Sequence, residues 1–236
     1  MPSDAGPGSS SLITAIVPAR NEGERVAATV HSLLSVACVA CVVVVDDASE
    51  DDSDSVAEAA GAQVLRLERR SGKGAAVEAG LARVNSGYVA FIDADLEGTA
   101  LLIEPLAAPV LDERVDVAIA EMPLTGGRRG FGWVMGLARW AVKRYGGLDI
   151  ANPLCGQRVM TRAAAEALRP LAPGFALETR ATILHGRLGH RIAVVPVEMS
   201  HRRTGRDLSG FRHRAGQFWD VAREVGRWVF GAGQSG

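Results

Sequence analysis

Asp93 and Asp95 stand one residue apart at the end of the apolar run YVAFI. Carboxylates so placed can hold a hard divalent cation, Mg2+ or Mn2+, with substrate phosphates filling its other positions. A cation held there neutralises charge as a diphosphate departs. D-x-D also arises in ordinary acidic turns, and its place after an apolar run is what singles this pair out. Three other segments carry side chains of related chemistry: Pro18-Ala19-Arg20-Asn21-Glu22, Asp46-Asp47, and Lys73 within SGKG. Asp46 and Asp47 suit hydrogen bonds from a base or ribose, and equally the capping of a following helix. Lys73, between Gly72 and Gly74, suits a phosphate contact or a simple turn. It does not belong to a P-loop, because the GxxxxGK[ST] spacing is absent.

Lysine is scarce. The chain has 24 Arg and only 2 Lys, Lys73 and Lys143, so a compact point charge has been kept at a glycine-flanked position. Further along, Glu178 sits in the otherwise apolar GFALE. It suits a sugar-orienting group or a general base, and equally a partner for a helix N-terminus. Gly156-Gln157-Arg158 can present backbone N–H groups and a guanidinium to an acceptor phosphate, or Arg158 can pair with an acidic neighbour.

These candidates need a scaffold, and hydropathy supplies one. Leu12 to Val17, Val39 to Val45, Gln63 to Leu67 and Gly87 to Ile92 read as strands. Helical periods lie between them, from Glu24 to Val36, after DDASEDDSDS as far as Gly61, and from SGKG to Val84. Strands alternating with helices imply right-handed crossovers and a mainly parallel α/β sheet. Ligands in such sheets bind beyond the carboxyl ends of the strands. That rule brings Asn21, Glu22, Asp46, Asp47, Lys73, Asp93 and Asp95 to one edge.

The composition agrees with a chain that packs a core. It has 236 residues, 47% hydrophobic and 22% charged, with net charge −1. That excludes disorder as the main state and fits one large domain or two small ones. Val36 to Val45 is about half the ~20 apolar residues a membrane helix requires. The opening MPSDAGPGSSS reads as a flexible tail and not a signal peptide, so a cytoplasmic protein is expected. Residues through Glu121 carry a balance of −12 and those from Met122 onward +11. Such asymmetry suits a metal on one side and an anionic substrate on the other. Few aromatics accompany the arginines, so nucleic acid is not an expected partner. Cys38 and Cys41 form a CVAC unit without a second ligand pair, which reads as buried apolar cysteine.

VPARNEGE, VVDDASEDD, SGKG and FIDADL together resemble the nucleotide-binding half of family 2-type glycosyltransferases with the GT-A fold. The resemblance spans about residues 12 to 97. In the second half, Cys155-Gly156-Gln157-Arg158 is similar to a segment of polyprenyl-phosphate (dolichol-phosphate mannose synthase-like) sugar transferases. GFALET, VPVEM and HRRTGRDL resemble both those enzymes and glucosyl-3-phosphoglycerate synthases. The resemblance implies a single GT-A domain after a tail at 1–11, with a nucleotide-sugar half at 12–121 and an acceptor half at 122–236. It implies that Pro18, Ala19, Asn21, Glu22, Asp46, Asp47, Lys73, Asp93 and Ala94 bind the nucleotide sugar. Asp95, His201 and Asp93 would hold the metal, and Glu178 and Asp95 would be catalytic. Gly156, Gln157, Arg158 and Arg203 would meet the acceptor.

The implied reaction is metal-dependent hexosyl transfer to a phosphate-bearing acceptor. A UDP-sugar is the favoured donor, with a GDP-sugar as the other choice. Alternatives are a nucleotidyltransferase, whose first loop ought to be richer in glycine and basic residues than PARNEGE, and a non-catalytic sugar-nucleotide-binding module. A polymer synthase is not expected, since GRW at Gly226 to Trp228 lacks the upstream glutamine in register. Gly126 to Gly130 (GGRRG) reads as a basic connection between the halves. Gln217 to Phe230 reads as a basic amphipathic helix that either covers a core or lies on the inner membrane face. A homodimer is a further expectation.

Overall fold

The computed structural model describes residues 12–122, 132–174, 176–200 and 208–231, with only the backbone described for 208–218. His201, Arg203 and the GGRRG segment lie outside the described residues. The first half alternates as its hydropathy implies: β1 (Ile13–Ala19), α1 (Glu24–Leu34), β2 (Val39–Asp46), α2 (Ser53–Ala59), β3 (Gln63–Arg66), α3 (Lys73–Leu81) and β4 (Tyr88–Phe91). A 3-10 turn over Glu97–Leu102 leads into α4 (Ile103–Leu111) and β5 (Val117–Glu121). Then come α5 (Gly132–Gly146), β6 (Arg158–Thr161), α6 (Arg162–Glu166), α7 (Ala176–Arg187), β7 (Ile192–Pro196) and α8 (Leu208–Val229).

The described strands form one sheet in the order β3-β2-β1-β4-β6-β5-β7. β1 pairs in parallel with β2 and β4, β2 with β3, and β5 with β7. β6 alone runs antiparallel, to both β4 and β5. Helices cover the two faces, so the central strands are continuous apolar runs and not alternating ones. All of β1 is buried except the half-buried Pro18, and β2 is buried from Val42 to Asp46. α1 turns Val26, Val30 and Leu33 onto this layer. α3 lies so close that a Cβ at Gly80 would sit 2.6 Å from Ile16 Cγ2 and 3.1 Å from Val45 Cγ2.

A smaller apolar cluster joins α5, α7 and α8. Val134, Ala138, Ala141 and Val142 meet Ile183, Val221, Val225 and Trp228. The buried carboxylate Glu224 accepts from Trp228 Nε1 at 3.1 Å and lies 3.9 Å from Arg180 Nε, which ties α8 to α7. The amphipathic helix of the C-terminal region starts earlier than its hydropathy implies, at Leu208, and packing is one of its roles. No helix among the described residues is long and apolar enough to cross a membrane.

Two local findings refine the sequence expectations. Cys38 and Cys41 are half-buried, free thiols against the main core; burial pushes both up in pKa, which disfavours the reactive thiolate. His185 is wholly buried, with its Nδ1 2.9 Å from His190 Nδ1. Burial, the nearby Arg158 cation and His190 push its pKa down from 6.5 to about 3.

Both the close helix and the buried imidazole give measurable consequences. Gly80→Ala should destabilise the protein by about 1–3 kcal/mol through overpacking, read as a lower urea midpoint at unchanged slope. For His185, the unfolded chain takes up the proton first as pH falls below 6.5, so stability is retained above that pH and lost on the way toward 3. In the middle of that window the loss should be steeper by about 1.4 kcal/mol per pH unit than in His185→Gln. Equal slopes in chemical denaturation at pH 4 to 6 would refute it.

Candidate active site

The carboxyl edge of the sheet is organised around one ammonium group. Lys73 is the first residue of α3, and its Nζ lies 2.6 Å from Asp93 Oδ1 and 2.7 Å from Glu178 Oε1. Asp93 lies two residues past the end of β4 and Glu178 lies in the first turn of α7, so the bridge joins the two halves of the chain. Burial by itself pulls a lysine down in pKa; here Asp93 and Glu178 outweigh it and hold Lys73 above its ordinary value. Lys73 is therefore a fixed cation at any working pH. Arg158, 1% exposed, adds a second positive charge behind the pair, and burial lowers its pKa against the opposing pull of Glu178.

β6 explains the neighbours of Asp93. Its antiparallel pairing sets Arg158 opposite Phe91, and continuing that register brings Gln157 and Gly156 alongside Ile92 and Asp93. Gln157 Nε2 donates to Asp93 Oδ2 at 2.5 Å while its Oε1 accepts from Asp93 N at 3.0 Å. Gly156 leaves room for the lysine: a Cβ there would stand 2.6 Å from Lys73 Nζ and 3.1 Å from Asp93 Oδ2. Arg158 Nη2 donates to Cys155 O at 2.9 Å. The side chains of Gln157 and Arg158 thus turn inward, to Asp93 and the Cys155 carbonyl. Periodicity could not show this, because nothing in GQR announces a short antiparallel strand beside β4.

The aspartates after β2 also bond to their own loops. Asp47 Oδ1 and Oδ2 accept from Ser71 N and Gly72 N at 2.5 and 2.8 Å, which fixes the SGKG segment in front of α3. Asp46 accepts from Ser49 N at 3.2 Å and lies 3.6 Å from Arg66 Nε. Asn21, at φ 55°, donates its N–H to Ser49 Oγ at 3.0 Å, and its Oδ1 accepts from Glu50 N at 2.9 Å. Ser53 Oγ accepts from Glu22 N and Gly23 N. The loops after β1 and β2 are therefore laced together before any ligand arrives. Ala19 and Ala94 are buried, and the Ala94 carbonyl accepts from Thr29 Oγ1 at 2.8 Å.

Asp95 is half-buried and faces the first loop. Burial raises the Glu22 pKa, Arg25 lowers it, and Asp95 and Asp51 raise it further. The charges of Asp95 and Asp51 are therefore felt at Glu22, beside its ion pair with Arg25 at 3.1 Å. No group of three His, Cys, Asp or Glu among the described residues is arranged to hold a metal by itself. His201 is outside those residues. Glu178 stands out in the sequence as an isolated carboxylate; its partner Lys73 is more than a hundred positions away and visible only in the fold.

The sequence profile of glycosyl transferase family 2 matches residues 14–169, a span that takes in β1, β2, Lys73, Asp93, Asp95 and Gln157. The chain belongs to that family. This glycosyltransferase is 27% identical to an undecaprenyl-phosphate mannosyltransferase of Micrococcus luteus over 93% of its own length and 95% of the relative's. It is also 33% identical over 89 residues to a 4,4'-diaponeurosporenoate glycosyltransferase of Staphylococcus aureus, 36% of this chain and 24% of that one. Among solved structures it is similar to glucosyl-3-phosphoglycerate synthase of Mycobacterium tuberculosis in complex with Mn2+, UDP and glucosyl-3-phosphoglycerate. The TM-score is 0.74 at 27% identity, covering 91% of this chain and 80% of that one. The same synthase with Mg2+ and UDP gives 0.75 over 91% and 79%. The α/β sheet is thus a GT-A fold.

The lysine bridge sets an expectation for this glycosyltransferase. Lys73→Met should leave Asp93 and Glu178 facing each other without their cation and cost roughly 3–5 kcal/mol. Gln157→Leu removes the clasp on Asp93 and should lower kcat/KM by about tenfold or more with a smaller loss of stability. Denaturant midpoints and donor kinetics on both variants check this. A Lys73→Met protein with unchanged midpoint would show that the bridge does not hold the halves.

Proposed function

We propose that this glycosyltransferase moves a hexose from a UDP-sugar, with a GDP-sugar as the second choice, to an acceptor bearing phosphate. The observation that carries the reading is the Lys73 bridge, which sets the D-x-D segment against Glu178 and the Gly156 backbone. Donor chemistry and acceptor chemistry then share one edge. Support for UDP and for Mg2+ or Mn2+ comes from the solved synthase complexes; support for a phosphate-bearing acceptor comes from glucosyl-3-phosphoglycerate in one relative and undecaprenyl phosphate in the name of another.

The residues divide the work as follows. The donor's nucleotide lies over the laced loops, against Pro18, Ala19, Asn21 and Glu22, with Asp46 and Asp47 holding the loop shapes. Asp95 with His201 supplies the main cation ligands, since both Asp93 oxygens already accept hydrogen bonds. The cation, once bound, neutralises the diphosphate that leaves. Lys73 keeps Asp93 in place and puts a permanent positive charge at the phosphate edge. Glu178, fixed by Lys73, orients a sugar hydroxyl or takes the acceptor's proton. Gly156 backbone and Arg203 meet the acceptor phosphate, while Gln157 and Arg158 hold that segment from behind. Family membership leaves the nucleotidyltransferase and binding-module alternatives without an observation in their favour.

The test is a panel of UDP- and GDP-sugars with Mg2+ or Mn2+, offered 3-phosphoglycerate or a short polyprenyl phosphate. Transfer should occur from one donor class and require both metal and acceptor phosphate. Asp95→Ala should lose roughly a hundredfold or more in activity with either metal. His201→Ala should lose more with one metal than the other, because imidazole suits Mn2+ better than Mg2+. No binding and no turnover of any donor would sink the proposal, and unchanged metal affinity in His201→Ala would remove that ligand from it.

A further inference from the structure

We infer that the outer sides of α5 and α8 form a docking surface for an anionic phospholipid bilayer. Trp133 is 87% exposed, Trp219 71%, Phe230 87% and Trp140 49%. Three of the chain's four tryptophans therefore face outward from two helices that share one apolar cluster. Trp133 and Trp140 are seven residues apart, two turns along one side of α5. On α8 the positions 219, 223 and 226 follow one another at helical spacing, opposite the buried Val221, Val225 and Trp228, and Phe230 stands in the turn directly after the helix. The helices meet through their inner sides: Trp140 touches Tyr145 edge-on at 5.7 Å, and Tyr145 lies 6.1 Å from the buried Trp228.

The charges beside these rings choose the occupant. Arg144, Arg223 and Arg227 lie exposed on the same two helices, within a half of the chain that carries +11. Tryptophan and phenylalanine flanked by arginine match a headgroup region, where rings enter the acyl boundary and guanidinium groups meet lipid phosphate. A second copy of this chain fits less well. A two-fold interface would set the same arginines against each other, with no acidic strip among the described residues of these outer sides to match them. The surface stands on exposure and charge alone, and does not depend on which acceptor the enzyme uses.

The experiment is flotation of the full chain with vesicles of phosphatidylcholine, with and without 30% phosphatidylglycerol (about the level that gives a strongly anionic surface). Neither lipid is a donor or acceptor, so failure here leaves the transferase proposal untouched. Binding should require the anionic lipid, weaken as salt is raised, and shift tryptophan emission to the blue. Trp133→Ser with Phe230→Ser should lower the partition by about tenfold or more while the urea midpoint stays put. Equal binding to neutral vesicles, no binding to either, or full binding by the double variant would overturn it. So would a concentration-dependent dimer in sedimentation that the double variant abolishes.

Discussion

An ammonium half-buried between two carboxylates is costly to assemble and costlier to dismantle, and Lys73 occupies such a position. Asp93 reaches it from the end of the fourth strand and Glu178 from the first turn of α7, on the other half of the chain. With the buried Arg158 nearby the four groups sum to zero charge, so Lys73 holds two ion pairs and the cluster carries no excess charge. Three elements are thereby fixed to one point. Gly156 is without a side chain because the ammonium stands where a Cβ would point, and Gln157 is spent on both ends of Asp93. Every other feature of the carboxyl edge is arranged around that point.

The laced loops follow the same logic with neutral partners. Ser49, Ser53, Asn21 and Asp47 satisfy backbone N–H groups that a parallel sheet leaves open beyond its strands. The residues most often taken for ligand contacts in such an edge are here also what gives it shape. Any ligand that reaches this edge meets loops already ordered, and little conformational entropy remains to be lost on binding.

Much of the first half was legible because central parallel strands buried on both faces read as unbroken apolar runs, and LITAIV, VVVV and YVAF are of that kind. The second half was less legible for definite reasons. β6 has only four residues, runs against its neighbours and is preceded by a polar GQR, so neither its existence nor the inward turn of Gln157 and Arg158 showed in the pattern. Of the site, the D-x-D pair, Lys73 and Glu178 were visible as types and positions. Their joining was not, since an ion pair across more than a hundred residues leaves no mark in local spacing. For His201 and Arg203 the resemblance remains the only argument.

Electrostatics also explains why one side of the edge needs a partner that the other does not. The Lys73 cluster is internally neutral, whereas Glu22 feels the negative charge of Asp95 and Asp51, opposed by Arg25. A nucleotide diphosphate approaching that corner would add negative charge to negative charge. A divalent cation converts the repulsion into two sets of attractive contacts, to carboxylate on one side and phosphate on the other. The −12 and +11 stretches are thus separated along the chain and brought onto one sheet by the β4–β6, β5–β6 and β5–β7 pairings, with the Lys73 bridge tying α7 to the same edge.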